Sequence, residues 1–328
     1  MNIKELDTLV QTCIRNNDLI SLFNSEYQKI IQDEIEVLKN RYLASVKRDG
    51  LNLKHIPMEL QTPEICLVAV QQNGLALYLV PKELKTPEIC LAAIEQNGRV
   101  LEFVPKELQT PEFCLVAVQH KGFALYYVPK ELRTPEICLA AVEQYGYALD
   151  FVPKELKTPE ICLTAVQQDG YALYYVPKEL QTPEICLAAV KQNGLTIQFV
   201  PKEPKELKTP ELCLAAVQQN GCALECVPEE LQTPELCLVA VQQNEQVLQY
   251  ILKKPELQTP EIYLAAVGKN GQSLQYVPKE LQTPELCLTA VLRVKDSFQF
   301  IELSQPVIKD NIKYTFNKDN KSVLIEII

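Results

Sequence analysis

The tripeptide Thr-Pro-Glu begins at Thr62 and returns at Thr86, Thr110, Thr134, Thr158, Thr182, Thr209, Thr233, Thr259 and Thr283. Seven of the nine intervals are 24 residues; the other two are 27 and 26, lengthened around Pro201–Pro204 and Ile251–Lys254. A period of this size marks a stacked-repeat architecture, in which one unit cannot bury its apolar surface alone. That constraint outranks the length of 328 residues, which by itself suggests two conventional domains. A degenerate copy precedes the array, with Leu43, Ala44, Val46, Gly50, Leu53, Ile56, Pro57 and Leu60 in register but without the tripeptide. The total is about eleven units.

Each unit can be taken apart physically, using residues 62–85, TPEICLVAVQQNGLALYLVPKELK. Thr62 suits the N-cap, where its hydroxyl accepts from a first-turn N–H. Pro63 suits the first helical position, which needs no N–H, and Glu64 sits beside the positive end of the helix dipole. Ile65, Cys66, Leu67, Ala69 and Val70 form a wide apolar arc. Asn73-Gly74 then predicts a helix end, with the glycine in the left-handed C′ conformation. The segment from Leu75 to Val80 is long enough for only a short helix, which Pro81 stops. Pro-Lys-Glu-Leu makes one further turn into the next threonine cap.

The expected fold is therefore all-α, an α-solenoid of about eleven 24-residue helix–turn–short-helix repeats over residues 38–301. Residues 1–37 read as an N-terminal helical cap of two helices, one ending near Asn16 and one starting near Ser25. Residues 302–328 read as a C-terminal cap, where Ile312, Tyr314 and Phe316, then Val323, Ile325 and Ile327, alternate as in a β-hairpin. The insertions near 201–204 and 251–254 are the expected hinges.

The run AAVKQNGLTIQFVPKEPKELKTPELCLAAV, which ends at Val217, resembles the repeats of domain-of-unknown-function family 4116. Members of that family carry L-A-A-V-x-x-N-G, then A-L-x-[YF], then E-E-L, and occur in bacteria and some large viruses. The resemblance covers about residues 38–301. It implies an all-helical repeat and supplies no activity, substrate, cofactor or functional residue. It leaves open export into a host cell. This chain departs from the family pattern in its Thr-Pro-Glu and in the Val-Pro after the aromatic position.

Several classes of chemistry are excluded as expectations. Net charge is −10, so no nucleic-acid partner is expected. No stretch reaches the roughly 18 apolar residues of a membrane span. The start of the chain, with Lys4, Glu5 and Asp7, does not read as a secretory signal. Nine of the twelve cysteines, Cys66, Cys90, Cys114, Cys138, Cys162, Cys186, Cys213, Cys237 and Cys287, share one repeat position, too far apart for disulfides. They read as small buried hydrophobes, and Tyr263 fills the same place in the ninth copy. Cys222 and Cys226 share a face of one short helix, but His55 and His120 lie in distant copies, so no metal site is expected. Unpaired cysteine at this density favours a reducing, cytoplasmic setting. The carboxylates are reiterated rather than gathered, no phosphate loop is present, and neither catalytic residues nor a cofactor are expected.

Columns of the repeat can be compared within the chain. The short-helix leucine (Leu77, Leu101, Leu125) and the column Phe103, Tyr127, Phe151, Tyr175, Phe199 read as core. The outward edge varies, and its rings Tyr78, Phe123, Tyr126, Tyr147, Tyr171 and Tyr174 are the candidate partner-binding residues. Internal packing, of the rings on one another or under the N-terminal helices, is the competing reading. The functional expectation is a non-enzymatic scaffold for a protein partner; the alternative is a structural spacer or self-assembling rod.

Overall fold

The computed structural model describes residues 3–201, 207–301, 307–309, 312–317, 319 and 322–327. The chain divides into two compact units, Met1–Thr164 and Ala165–Ile328, with the boundary inside the helix Pro159–Gln168 rather than at either insertion. The insertion around Pro201–Pro204 falls largely outside the described residues.

The first unit opens with α1 (Ile3–Arg15), a 3-10 turn (Asn17–Leu22) and α2 (Ser25–Arg48). Asn24 caps α2 by accepting from the N–H of Tyr27. Val10, Ile14, Ile31 and Ile35 are buried, whereas Ile30 and Val37, also apolar, face solvent. The main packing partners of these helices are the degenerate copy and α3 (Pro63–Gln72). Next come α4 (Pro87–Gln96), α5 (Pro111–His120), α6 (Pro135–Gln144) and α7 (Pro159–Gln168).

The second unit continues with α8 (Pro183–Gln192), α9 (Pro210–Gln219), α10 (Pro234–Gln243), α11 (Leu248–Ile251), α12 (Pro260–Lys269) and α13 (Pro284–Arg293). Its end is a three-stranded antiparallel sheet, β1 (Val307–Lys309), β2 (Ile312–Asn317) and β3 (Ser322–Ile327), in the order β1-β2-β3. The hairpin read from sequence is the β2–β3 pair, in which Phe316 faces Val323 and Tyr314 faces Ile325. Val307–Lys309 adds a third strand that its three residues were too short to announce. Leu324 and Ile325, neighbours on opposite faces of β3, are both exposed.

Among the described residues the Thr-Pro-Glu helices begin as their sequence dictates, except α12, where Thr259 makes no side-chain cap. The Thr62 hydroxyl accepts from the N–H of Ile65 at 3.3 Å, Pro63 takes the first helical position, and copy after copy repeats the arrangement. Of the apolar arc, Ile65, Cys66, Ala69 and Val70 are buried. Leu67 is only half-buried, and its equivalents Leu214 and Leu264 are exposed, so the buried stripe is narrower than the apolar one.

The second half of the unit is a six-residue 3-10 helix, Gly74–Leu79 in the first copy. Asn73 is extended, with φ −150 and ψ 108, and its side chain accepts from the N–H of Leu75. The expectation of a left-handed glycine ending the α-helix is therefore overturned. The Asn-Gly pair starts the next element: asparagine caps it, and glycine is required by proximity. A Cβ on Gly74 would stand 2.6 Å from the carbonyl oxygen of Ala93, in the following copy. The same clash with an alanine carbonyl recurs at Gly98, Gly122, Gly170, Gly194, Gly221 and Gly271. Glycine is thus the only residue that lets one copy's turn approach the next helix so closely.

Two copies lack it, and both explain themselves. Lys295 replaces glycine in the last copy, where no further repeat helix follows among the described residues. Glu245 replaces it in the eighth, and there the 3-10 segment shortens to Glu245–Val247 and continues as α11. The inserted residues lead out of that turn. Lys254 pairs with Glu229 at 2.8 Å, donates to the Gln232 carbonyl-type oxygen Oε1 at 3.1 Å and stands 5.1 Å from the Tyr250 ring centre.

Another column that sequence reading passed over closes each unit. Gln109 donates to the carbonyls of Leu101 and Val104, and Gln181 and Gln232 do the same to their own short helices. Some members of the column reach into the following copy, as Gln282 does to the carbonyl of Phe300 at 3.2 Å. Lys85 donates to the carbonyl of Phe103 at 2.8 Å, and Arg133 spans the carbonyls of Val128 and Phe151. These side chains supply donors to carbonyls at the ends of the short helices, among which those of Leu101, Leu173 and Leu224 also accept from the N–H of Val104, Val176 and Val227. Burial lowers the pKa of Lys85.

Candidate functional site

The 3-10 geometry decides how the outward edge is presented. With three residues per turn, side chains at i and i+3 eclipse one another. Leu75 and Tyr78 therefore share an edge, as do Phe123 and Tyr126, whose rings stack at 5.8 Å with planes 16° apart. Tyr78 is 52% exposed, Tyr126 56% and Tyr174 66%; Phe123, Tyr147 and Tyr171 are half-buried. None of the six is in the core.

The rings rest on the column that sequence reading assigned to the core. Phe103, Tyr127, Phe151, Tyr175 and Phe199 are half-buried rather than buried. Tyr78 lies 5.9 Å from Phe103, and Phe123 and Tyr126 both meet Phe151 edge-on, at 5.5 and 5.3 Å. In the second unit Tyr171 and Tyr174 meet Phe199 at 6.0 and 5.4 Å. The short helix has only two residues facing inward per turn of three, and Ala76, Leu77 and Val80 fill that role. The aromatic after them is left at the margin. Five of the six rings, Tyr78, Phe123, Tyr126, Tyr171 and Tyr174, thus pack on an aromatic of the following copy and keep an open face.

The strip is not continuous along the first unit. Copy two places Arg99 and Glu102 where other copies have rings, so Tyr78 stands apart from Phe123 and Tyr126. The Arg99 guanidinium carbon lies 5.9 Å from the centre of Phe123. Tyr147 joins the cluster through Tyr145, which stacks on it at 5.6 Å and meets Phe123 at 6.5 Å. Tyr145, itself exposed, was missed in the sequence. The available signal was its position, where most copies place the capping asparagine. Lys121 and Tyr145 both occupy that position and make no side-chain cap.

The cysteine column is buried throughout, each of the nine at 0% exposure. Burial pushes most of these thiols up to about 11, and Cys287 to about 12. They are uncharged at neutral pH and unfit as nucleophiles or metal ligands. Tyr263 takes the same buried place, and its hydroxyl donates to Gln258 at 2.9 Å. Cys222 and Cys226 are half-buried, and the Cys222 sulfur accepts from the Asn244 amide at 3.1 Å. Among the described residues no group of three or more His, Cys, Asp or Glu is placed to hold a metal ion. No described helix is long and apolar enough to cross a membrane.

Capped helix, glycine approach and short 3-10 helix, repeated at 24-residue spacing, define a tandem helical-repeat protein of solenoid type. The family model for the domain of unknown function DUF4116 matches residues 39–85, 64–109, 86–133, 110–157, 158–208 and 209–258. The chain belongs to that family, and each match spans about two of the 24-residue copies. No curated protein and no solved structure matches the chain.

Proposed function

We propose that this chain is a non-enzymatic scaffold that presents the outer edge of its short helices to a protein partner. One observation carries the reading. Tyr126 and Tyr174 are more than half exposed although each is already braced edge-on against Phe151 or Phe199. A braced ring has little rotamer freedom left to lose on binding, and tyrosine offers both an apolar face and a hydroxyl. The reiterated, buried thiols and the capped helices serve the framework that holds these rings. Their unpaired state suits a reducing compartment, the cytoplasmic setting expected from composition.

The spacer reading draws on a different observation. Beyond copy five the edge turns polar, with Gln198, Glu225, Gln249, Gln275 and Gln299 where Tyr126 and Tyr174 stand earlier. The deciding experiment is quantitative capture from lysate with the full chain and with a variant carrying Tyr126→Ser, Tyr147→Ser, Tyr171→Ser and Tyr174→Ser. The variant must keep its helical circular dichroism. Proteins held by the first and lost by the second support the scaffold, whereas identical captures favour the spacer.

A further inference from the structure

The apex of copies two to four departs from copy one at several neighbouring positions. Copy one reads Gln72-Asn73-Gly74-Leu75, and copy three reads His120-Lys121-Gly122-Phe123. Copy two adds Arg99 where copy one has Leu75, and copy four adds Tyr145 where copy one has Asn73. Gln72 accepts from the N–H of Gly50, and Gln219 from that of Gly194, so the glutamine serves the framework. Asn73 caps its 3-10 helix, whereas Lys121 and Tyr145 do not. Framework chemistry has been given up at three neighbouring positions. Such local violations collect where a protein does something other than fold.

These residues surround one open cleft of about 440 Å³, lined by Arg99, His120, Lys121, Phe123, Gln144 and Tyr145 together with Gly122. Three lining side chains are basic and none is acidic, in a chain of net charge −10. Phe123 and Tyr145 meet edge-on as its apolar wall. Arg99 lies over the Phe123 ring, an arrangement that holds a guanidinium while leaving its N–H edge free to take a carboxylate in two hydrogen bonds.

We propose that this cleft binds an acidic peptide segment of a protein partner: carboxylates on Arg99, His120 and Lys121, an apolar side chain on Phe123 and Tyr145. Its volume admits a few side chains, within the range of ordinary ligand sites. Two cations beside an imidazole, in an acidic chain, can steer and orient a short run of carboxylates, but they form no track for a phosphate backbone. The inference rests on the scaffold reading and names the chemistry of the partner.

The test is fluorescence anisotropy at low salt with a labelled Glu-Glu-Tyr-Glu-Glu peptide, a Gln-Gln-Tyr-Gln-Gln control and an oligothymidylate. The key variant is Arg99→Leu, His120→Gln, Lys121→Asn, which returns all three places to the residues of copy one. Because that change restores a cap, its thermal midpoint should equal or exceed that of the parent, so lost binding is not lost fold. The expected result is binding of the acidic peptide over the glutamine control, weakened at least about tenfold in the variant and falling with salt. No preference for the acidic peptide, equal binding by the variant, or tighter binding of the oligonucleotide overturns the proposal. The serine variant of the previous section is measured alongside. Peptide binding that survives beside unchanged protein capture would sink the tyrosine-edge reading and leave the cleft standing.

Discussion

Copies three and four, residues 110–157, and copies seven and eight, residues 209–258, break the repeat in opposite ways. The first pair keeps both glycines and gives up both capping asparagines, to Lys121 and Tyr145. The second pair keeps Asn220 and Asn244 as caps and gives up one glycine, to Glu245. Loss of the asparagines leaves six-residue 3-10 helices in place, Gly122–Tyr127 and Gly146–Phe151. Loss of the glycine reshapes the turn and coincides with the insertion before α12. A cap is a local hydrogen bond that water can replace, whereas the glycine answers to a backbone carbonyl of the next copy. Surface positions near the apex are therefore free to vary for function, and the inter-copy contact is not.

The sharpest way to break this comparison is to move the glutamate. Gly122→Glu, which imports the side chain of Glu245 without its accompanying insertion, should destabilise by about 3 kcal/mol or more in denaturant titration. A Cβ at Gly122 already stands 2.8 Å from the Cβ of Tyr145 and closer still to the Ala141 carbonyl. Glu245→Gly should change stability by less than about 1 kcal/mol. If both substitutions cost the same, glycine is not required by the contact described.

The thiol column is common to both regions and tests whether burial is uniform. Cys138→Ser and Cys237→Ser should each cost about 1–3 kcal/mol, because a buried hydroxyl replaces a thiol with no partner provided. Alkali gives the same information without mutation. The folded thiols titrate at about 11 against an ordinary 9.0, so between those values the unfolded chain has lost protons that the native chain retains. Their contribution is complete below pH 9.0 and is lost as the pH climbs through about 11. Thiol labelling at pH 8 should reach half-buried Cys222 before any member of the column; simultaneous reaction would contradict the burial.

Smaller effects belong to the caps. Lys121→Asn should stabilise by about 0.5–1 kcal/mol, and Asn220→Ala should cost about as much, read from thermal midpoints. In the same range, Tyr126→Ser should cost about 0.5–1.5 kcal/mol, the worth of its ring contacts with Phe123 and Phe151. A much larger loss would show that the ring is framework rather than display.

Much of the repeat was legible because its signals act over a few residues. The threonine cap, the proline after it and the stop at Val-Pro reproduce the helix limits of Pro63–Gln72 and Gly74–Leu79. The β2–β3 pairing was legible from alternation alone. The same local reasoning misassigned Asn73-Gly74, since Asn-Gly after a helix resembles a C-terminal cap until the neighbouring copy is in place. It also placed Phe103 and Tyr127 in the core, from column identity rather than from the geometry of a three-residue turn. The latch residues Lys85, Gln109 and Arg133 were invisible because their partners are carbonyls, and every residue has one.

By itself the sequence determined the repeat period, the start of the repeat α-helices, the cysteine column as buried framework and the family to which the chain belongs. These depend on contacts within one unit or on identity between units. Only the tertiary structure decided why glycine recurs, which rings stay open, that Tyr145 joins them and that Arg99, His120 and Lys121 share a cleft. Those facts involve groups in neighbouring copies, such as Gly74 and Ala93 or Phe123 and Tyr145, brought together when one copy's turn approaches the helix of the next. Composition and spacing fix what a unit is; the distance between neighbouring backbones fixes what it leaves exposed.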